Sequence, residues 1–368
     1  MTSPLSGVRV LDLTRLLPGA FATLMLAELG ADVIKVEDPR HGDPIRRLPP
    51  LVDDRSLYDL LLNRGKQSVA IDLREPRGRA QLDRLVGGVD VVVESFRPAA
   101  ARRLGVAGEQ IRARHPRVIH CAITGYGQSG PYAERPGHDL NYVSISGMLM
   151  ADRPDPTQLP RMFIADVGGG AMSGVIGILA ALVGRARTGE GATLDISMHD
   201  ATMYWVMLPA PRAFASDGDR ASGELPTFGD HACYNVYRTA DGAWIALGAL
   251  ETKFWSAFCE AVARPDWTSR HLTDRDDQVA LIAEVRALMA SRSRDEWLHL
   301  FSRHDVCVTP VHPAREALRD PHLRARGVVR EANGLTTIRP PFLGRAIDLA
   351  PAPALGEHTE AILGGLGV

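Results

Sequence analysis

Short apolar segments alternate with helical patterns over the first 200 residues. The nearly continuous apolar runs, each predicting a strand, lie at 7–13, 31–37, 68–73, 90–95 and 117–124. Between the first two runs, AFATLMLAEL at 20–29 predicts a helix that ends at Gly30. Strands that are apolar throughout, with helices between them, are typical of a parallel sheet covered on both faces. The pattern therefore predicts an α/β fold with a Rossmann-like parallel sheet.

The pattern of apolar and polar residues changes in the second half of the chain. A small-residue helix is predicted at 167–186, followed by a strand and a buried helix within 193–208. Two β runs around an Ala-Asp-Gly turn at 232–250 predict a hairpin, and amphipathic helices follow it. We therefore predict a large α/β domain at 1–208, a linker at 209–227, a smaller α+β domain at 228–315, and a return segment at 316–368 whose short helix packs on the large domain.

Composition and charge exclude several classes of protein. Lys plus Arg total 42 and Asp plus Glu total 44, and this formal net charge of -2 argues against a nucleic-acid binder. The four cysteines form no CxxC pair, so neither a zinc ribbon nor another metal site is expected. No basic leader and no run of 18 apolar residues is visible, so we expect a cytoplasmic protein without a membrane span. The first strand leads into LTRLLPGA rather than GxGxxG, which disfavours a nicotinamide or flavin cofactor.

Three polar segments could carry chemistry. GYGQSGPYAERPGHDLNY at 125–142 follows a predicted strand, where α/β sheets place ligand loops, and it contains His138. MFIADVGGG at 162–170 places Asp166 at the expected start of the small-residue helix, where an aspartate can also be only an N-cap. Glu251 follows a predicted strand in GALE, and a solvated helix-start glutamate is the plainer interpretation there.

The order of motifs resembles the family III CoA-transferase superfamily (the CaiB/BaiF group), which includes α-methylacyl-CoA racemases. The motifs are GVRVLDLTRLLPGAFATLMLAELGADVIKVEDP, GDPIR, NRGKQSVAIDL, VVVESFRPAAARRLG, GYGQSGPY and ADVGGG. The resemblance covers nearly the whole chain. It implies an acyl-CoA substrate, an interlocked homodimer, and no cofactor beyond the CoA moiety of the substrate.

The resemblance also implies roles for single residues. In the transferases an aspartate at the position of Asp166 is the covalent nucleophile. In the racemases this aspartate pairs with a histidine at the position of His138, and the two exchange a proton at the substrate carbon next to the thioester. Glu251 matches the glutamate that assists this histidine, and Met162 stands where the racemase pattern has an asparagine. The positions implied to bind CoA are Arg46, Arg64, Arg97, Arg103, Tyr126 and Gly127.

These residues favour a 2-methylacyl-CoA racemase or epimerase. Inversion at the carbon beside a thioester needs one base on each face, and the enolate oxygen needs preorganised donors, which the helix N-terminus at 166–170 is expected to supply. A CoA transferase with Asp166 as nucleophile is the alternative, and a non-catalytic acyl-CoA-binding relative is the third. The sequence does not distinguish three classes of acyl group: a methyl-branched fatty acid, a steroid side chain and an aryl-propionate.

Overall fold

The computed structural model describes residues 3–151, 159, 161–215, 226–343 and 347–365. The chain divides into two compact units. The first unit comprises the described residues up to Phe214 together with those from Gly327 onwards, and the second comprises the residues between them. Most of the predicted linker at 209–227 falls on 216–225, which lie outside the described residues.

A six-stranded parallel sheet forms the centre of the first unit. In chain order, the strands of this unit before residue 214 are β1 (Arg9–Asp12), β2 (Asp32–Glu37), β3 (Leu51–Val52), β4 (Arg55–Ser56), β5 (Lys66–Ala70), β6 (Val91–Glu94), β7 (Ile119–Thr124) and β8 (Thr193–Ser197). The sheet has the order β5-β2-β1-β6-β7-β8, and every pairing within it is parallel. The prediction of a parallel α/β sheet is therefore confirmed.

Helices cover both faces of the sheet because alternate strand residues point to opposite sides. The helices of this part are α1 (Leu16–Glu28), α2 (Leu57–Leu62), α3 (Pro76–Gly87), α4 (Pro98–Leu104), α5 (Gly108–Arg114), α6 (Asp139–Ile145), a π-helical segment (Ile164–Met172), α7 (Ser173–Thr188) and α8 (Met198–Val206). Val91 and Val93 belong to a core layer shared with α1 and α7, whereas Val92 belongs to the opposite layer, shared with α3 and α5.

The helical run Ile164–Thr188 is long and apolar enough to cross a membrane, judged by length and composition alone. Buried core helices meet the same test, and 39% of the apolar window of this run is buried. Its inner side packs on β7, β8 and α1. The expectation of a buried helix within 193–208 is wrong for α8, since Tyr204 is 71% exposed and Met203 is 41% exposed.

The second unit contains the predicted hairpin and the predicted helices. Its strands are β9 (Tyr234–Arg238), β10 (Trp244–Gly248) and β11 (Val308–Pro310), which pair antiparallel in the order β11-β10-β9. Its helices are α9 (Thr252–Ala261), α10 (Arg275–Met289), α11 (Arg294–Phe301), α12 (Ala314–Ala317) and α13 (Pro321–Ala325). Trp255, Trp267 and Trp297 fill its core, and each indole N–H donates a hydrogen bond, as a buried indole requires.

The last part of the chain returns to the first unit. It forms an antiparallel pair, β12 (Val329–Ala332) with β13 (Leu335–Ile338), and then α14 (Thr359–Gly365). The helix begins beside β5, where Thr359 Oγ1 accepts a hydrogen bond from the backbone N–H of Ala70 at 2.9 Å. Residues near the end of the chain therefore close the β5 edge of the sheet.

Candidate active site

The loop after β7 brings His138 to the carboxyl edge of the sheet. Gly125 and Gly137 flank the ring of Tyr142, and a Cβ atom at either position would approach that ring to within 2.7 Å. Only glycine permits this close contact. His138 then directly precedes α6, where its backbone N–H donates to Asn141 Oδ1 at 3.0 Å. The segment holding His138 is thus anchored from both sides while the residue itself stays exposed.

Asp166 lies in the first turn of the π-helical segment rather than at an N-cap. Its backbone N–H donates to Asp139 Oδ1 at 2.8 Å, and Asp139 is the residue that follows His138. This bond ties the His138 loop directly to the Asp166 helix. Met162, at the position where the resemblance implies an asparagine, is 66% exposed.

His138 and Asp166 line the same two cavities. The arginine cavity, of about 620 Å³, is also lined by Arg15, Arg97, Arg135, Ser95, Asn141 and Tyr142. The second cavity, of about 650 Å³, is called the apolar cavity because most of its other lining residues are apolar or aromatic: Leu16, Leu17, Leu48, Tyr58, Leu140, Val143, Leu159, Met162 and Phe163. Asp139 and Arg161 line it as well. His138 and Asp166 therefore lie on a wall that the arginine cavity and the apolar cavity share.

The electrostatic environment makes Asp166 a weak acid. Burial, with the negative charge of Asp139 as a second cause, raises the pKa of Asp166 to about 7. Burial also raises the pKa of Tyr142, and the nearby Asp166 carboxylate adds to this effect. Near neutral pH, Asp166 therefore exists in comparable amounts as carboxylate and as carboxylic acid.

The three glycines after Asp166 serve close helix packing. A Cβ atom at Gly168 would lie 2.3 Å from the Trp205 ring, and one at Gly170 would lie 2.7 Å from Met198 Cγ. We expected the backbone N–H groups of 166–170 to be free donors at the start of a helix. This expectation is wrong, because the helix begins earlier, at Ile164. The N–H of Asp166 donates to Asp139, and the N–H of Val167 donates to the carbonyl of Phe163 at 3.1 Å.

Two of the four arginines implied to bind CoA have protein partners. Arg46 donates to both carboxylate oxygens of Glu37 at 2.7 Å and to the carbonyl of Pro353 at 3.0 Å. Arg64 pairs with Glu28. A phosphate would have to displace these partners, and the structure brings neither arginine to the cavities that hold His138 and Asp166.

The other four residues that the resemblance implies for CoA binding lie in different places. Arg97 lines the arginine cavity, and Arg103 is exposed in the last turn of α4. Tyr126 packs edge-on against Tyr142, with ring centroids 5.1 Å apart. Gly127 occupies a turn with φ of +80°, where its N–H donates to Thr124 Oγ1 at 3.1 Å. The CoA-binding roles of these residues stay predictions.

The sequence reasoning missed two arginines that line cavities, Arg15 and Arg74, although Arg74 is already paired with Asp38 and Asp72. Both line a third cavity, of about 130 Å³, together with Phe96. Arg15 also lines the arginine cavity, and its guanidinium lies 5.6 Å from the centroid of the Phe96 ring. Arg15 follows β1, so the rule that ligands bind past the carboxyl ends of parallel strands points to it.

Glu251 belongs to the second unit, where it directly precedes α9 and is exposed. Its expected assistance to His138 stays a prediction. Within the residues that the structure describes, no group of three or more His, Cys, Asp or Glu side chains is arranged to hold a metal ion. The expectation that no cofactor is needed beyond the CoA moiety also stays a prediction.

Comparisons with known proteins agree with this architecture. The sequence model of CoA-transferase family III matches residues 5–359. Human alpha-methylacyl-CoA racemase is 31% identical over 371 residues, covering 99% of this chain and 93% of that protein. Mouse succinyl-CoA:glutarate CoA-transferase is 31% identical over 379 residues, covering 98% of this chain and 86% of that protein. A CAIB/BAIF family protein from Brucella suis superposes with a TM-score of 0.86 at 30% identity and covers 100% of both chains. This chain therefore belongs to CoA-transferase family III, a superfamily of racemases and CoA-transferases.

Proposed function

We propose that this protein is a 2-methylacyl-CoA racemase or epimerase. The observation that carries the proposal is the shared wall, where His138 and Asp166 line the same two cavities. The hydrogen bond that the backbone N–H of Asp166 donates to the Asp139 carboxylate supports the proposal, because it fixes the two segments relative to each other. A one-base enzyme would not need such a pair.

The chemistry requires one proton donor and one proton acceptor on opposite faces of the α-carbon. Neutral His138 removes the α-proton, and the electron pair moves onto the thioester oxygen to give an enolate. Protonated Asp166 then delivers a proton to the other face, which gives the opposite configuration and leaves His138 protonated and Asp166 ionised. The reverse direction exchanges the two roles.

The raised pKa of Asp166 supports proton exchange over nucleophilic attack. A pKa of about 7 leaves a substantial fraction of Asp166 protonated near neutral pH, as proton delivery requires. An aspartate nucleophile attacks only as the carboxylate, so the same burial would lower the fraction that is ready for attack.

The arginine cavity and the apolar cavity suit different parts of an acyl-CoA. Leucine, methionine and phenylalanine side chains of the apolar cavity fit a branched apolar acyl group. Arg97 and Arg135 in the arginine cavity suit the pyrophosphate, since guanidinium groups pair well with phosphates. The third cavity is too small for the phosphoadenosine, and its Arg74 is already paired with Asp38 and Asp72, so we assign no part of the substrate to it.

A CoA transferase is the second candidate function. It is favoured by the succinyl-CoA:glutarate CoA-transferase among the relatives and by the presence of Asp166 at the nucleophile position. The third candidate, a non-catalytic acyl-CoA-binding relative, would need neither His138 nor Asp166. In the proposed racemase, Glu251 supports His138.

We also propose that the protein functions as a homodimer. Ile176 and Val183 on α7 are 68% and 66% exposed, and they face outward together with exposed apolar residues of α8. A surface this apolar commonly marks a protein interface. Light scattering on a size-exclusion column should give twice the monomer mass, and a monomer mass at micromolar concentration would contradict the proposal.

Deuterium uptake separates the candidate functions. One enantiomer of a 2-methylacyl-CoA is incubated with the enzyme in heavy water without any acceptor acid. Incorporation of deuterium at the α-carbon, with formation of the other enantiomer, is the expected result. Transfer of CoA to an added carboxylate, with trapping of Asp166 by hydroxylamine, would instead support the transferase. Binding of CoA without either reaction would support the non-catalytic relative.

A further inference from the structure

Glu94 ends the central strand β6 with a fully buried carboxyl group. Its Oε2 accepts a hydrogen bond from the backbone N–H of Phe96 at 2.6 Å. Its Oε1 is buried and has no hydrogen-bond partner among the residues that the structure describes. An ionised carboxylate in such a place would be costly, because half of its charge would face neither water nor a donor.

Within the described part of the chain, no positively charged group is among the causes that shift the pKa of Glu94. From β7, His120 Nε2 lies 3.7 Å from Glu94 Oε1, but it lies 3.1 Å from the Val106 carbonyl, which assigns the Nε2 proton to that carbonyl. Burial lowers the pKa of His120 to about 4, although Glu109 on α5 opposes this effect, so the ring is neutral. The Cys121 thiol, also on β7, is buried as well, and its pKa is raised.

From β8, the Asp195 carboxylate adds a negative charge near Glu94. Burial first, and Asp195 in addition, raise the pKa of Glu94 to about 8. Asp195 itself accepts hydrogen bonds from the N–H of Gln128 in the loop after β7. At neutral pH, Glu94 therefore carries its proton, and it loses that proton only under alkaline conditions.

The turn that Glu94 holds forms the wall between the arginine cavity and the third cavity. Ser95 Oγ accepts a hydrogen bond from the N–H of Arg15 at 3.0 Å, and the Arg15 guanidinium lies over Phe96. Ser95 and Arg97 line the arginine cavity, whereas Phe96 lines the third cavity. A shift of this turn would displace residues in both cavities at once.

We propose that Glu94 is a positioning residue that acts in its neutral form, and that its ionisation at alkaline pH releases the Ser95–Arg97 turn and weakens binding of the CoA moiety. The ionised carboxyl would have to turn towards water or admit water beside Oε1, and either change moves the backbone bonded to Oε2. The inference rests on the proposed CoA site but not on the racemase chemistry, so it holds for a transferase as well.

The first test compares CoA affinity at pH 7 and pH 9 by calorimetry for the wild type, Glu94→Gln and Glu94→Ala. Glutamine keeps an acceptor for the Phe96 N–H and cannot ionise. We expect Glu94→Gln to bind CoA within about twofold of the wild type at pH 7 and, at pH 9, about tenfold more tightly than the wild type. Ionisation of CoA itself cancels in this ratio. Glu94→Ala should bind about tenfold more weakly than the wild type at pH 7.

The matched control is Asp83→Asn, which alters an exposed acid that pairs with Arg114 and should follow the wild type at both pH values. Equal pH dependence of the wild type and Glu94→Gln would overturn the proposal. Affinity of Glu94→Gln as weak as that of Glu94→Ala at pH 7, or failure of Glu94→Gln to fold, would overturn it too, because either result would mean that a neutral acceptor does not hold the turn.

The second test does not depend on any ligand. Hydrogen exchange of the Phe96 amide is measured against pH in the wild type and in Glu94→Gln, each corrected for intrinsic exchange. Protection should fall between pH 7 and pH 9 in the wild type only. If the wild type bound no CoA, the proposed function would fail while this test would still decide the role of Glu94. Unchanged protection in the wild type up to pH 9 would refute that role.

Discussion

The carboxylate of Asp139 accepts a hydrogen bond from the backbone N–H of Asp166 at 2.8 Å. This single bond joins the residue after His138 to the helix that carries Asp166. It also places a negative charge beside the Asp166 carboxyl group, which helps burial to raise its pKa to about 7. Asp139 thus sets both the position and the acidity of its partner.

Replacement of Asp139 by asparagine should separate these two effects. The amide oxygen still accepts the N–H of Asp166, but the negative charge is lost, so the pKa of Asp166 should fall. Proton delivery by Asp166 at pH 7 should then slow by up to about tenfold and recover at lower pH. The measurement is the pH profile of kcat in each direction. The control is Asp200→Asn at an exposed acid on α8, and an unchanged profile for Asp139→Asn would contradict the expectation.

The direction in which Asp166 donates the proton should show a distinct pH dependence. Its raised pKa means that the protonated form is fully present well below pH 7 and is lost as the pH rises through about 7. The kcat for that direction should therefore fall above neutral pH. A transferase that uses the carboxylate should instead become faster through the same range, and that result would refute the proton-donor role.

The apolar and arginine cavities should control different kinetic parameters. Leu140→Ser in the apolar cavity should raise KM for long branched acyl-CoA substrates and leave the Kd of free CoA unchanged. Arg97→Ala in the arginine cavity should weaken the binding of free CoA about 10- to 100-fold, which is the effect expected for loss of a charged hydrogen bond. Arg114→Ala, which removes an exposed arginine paired with Asp83, is the control for Arg97 and should bind CoA normally. Equal effects of Leu140→Ser on short and long acyl groups would contradict this division.

The buried ammonium group of Lys66 should be essential for stability. It donates to Asp12 Oδ2 at 3.2 Å, to Thr23 Oγ1 at 2.7 Å and to Asn63 Oδ1 at 3.0 Å. Lys66→Met leaves a buried carboxylate with a weaker partner, so urea denaturation should show a loss of about 3–5 kcal/mol. The same change at exposed Lys253 should cost less than about 0.5 kcal/mol. A similar loss at both sites would show that the buried network is not the cause.

The strands were predictable because their apolar runs are determined locally. The run predicted at 117–124 is found as Ile119–Thr124, and the hairpin at 232–250 is found as β9 and β10. The two-residue strands β3 and β4 were not predicted, because so short a pairing leaves no periodic pattern in the chain. The exposed face of α8 was predicted to be buried, since composition shows that a helix is apolar but not which surface covers it.

The site was predictable in its residue types but not in its contacts. His138 and Asp166 were proposed from their motifs, whereas the hydrogen bond from the N–H of Asp166 to Asp139, which lies 27 positions earlier in the chain, was not predicted. Likewise, the bond from Arg46 to Glu37 depends on how β2 and the following turn fold together. Such tertiary partners decide whether an arginine is available for a phosphate, and no periodic pattern in the chain reveals them.

Stereochemically resolved deuterium exchange in His138→Ala and Asp166→Ala tests the two-base mechanism most directly. With one base removed, the remaining base should exchange the α-proton of one enantiomer with retention of configuration, and conversion between enantiomers should stop. The two variants should act on opposite enantiomers. Continued racemisation in either variant, or exchange of the same enantiomer by both, would show that His138 and Asp166 do not stand on opposite faces of the substrate carbon.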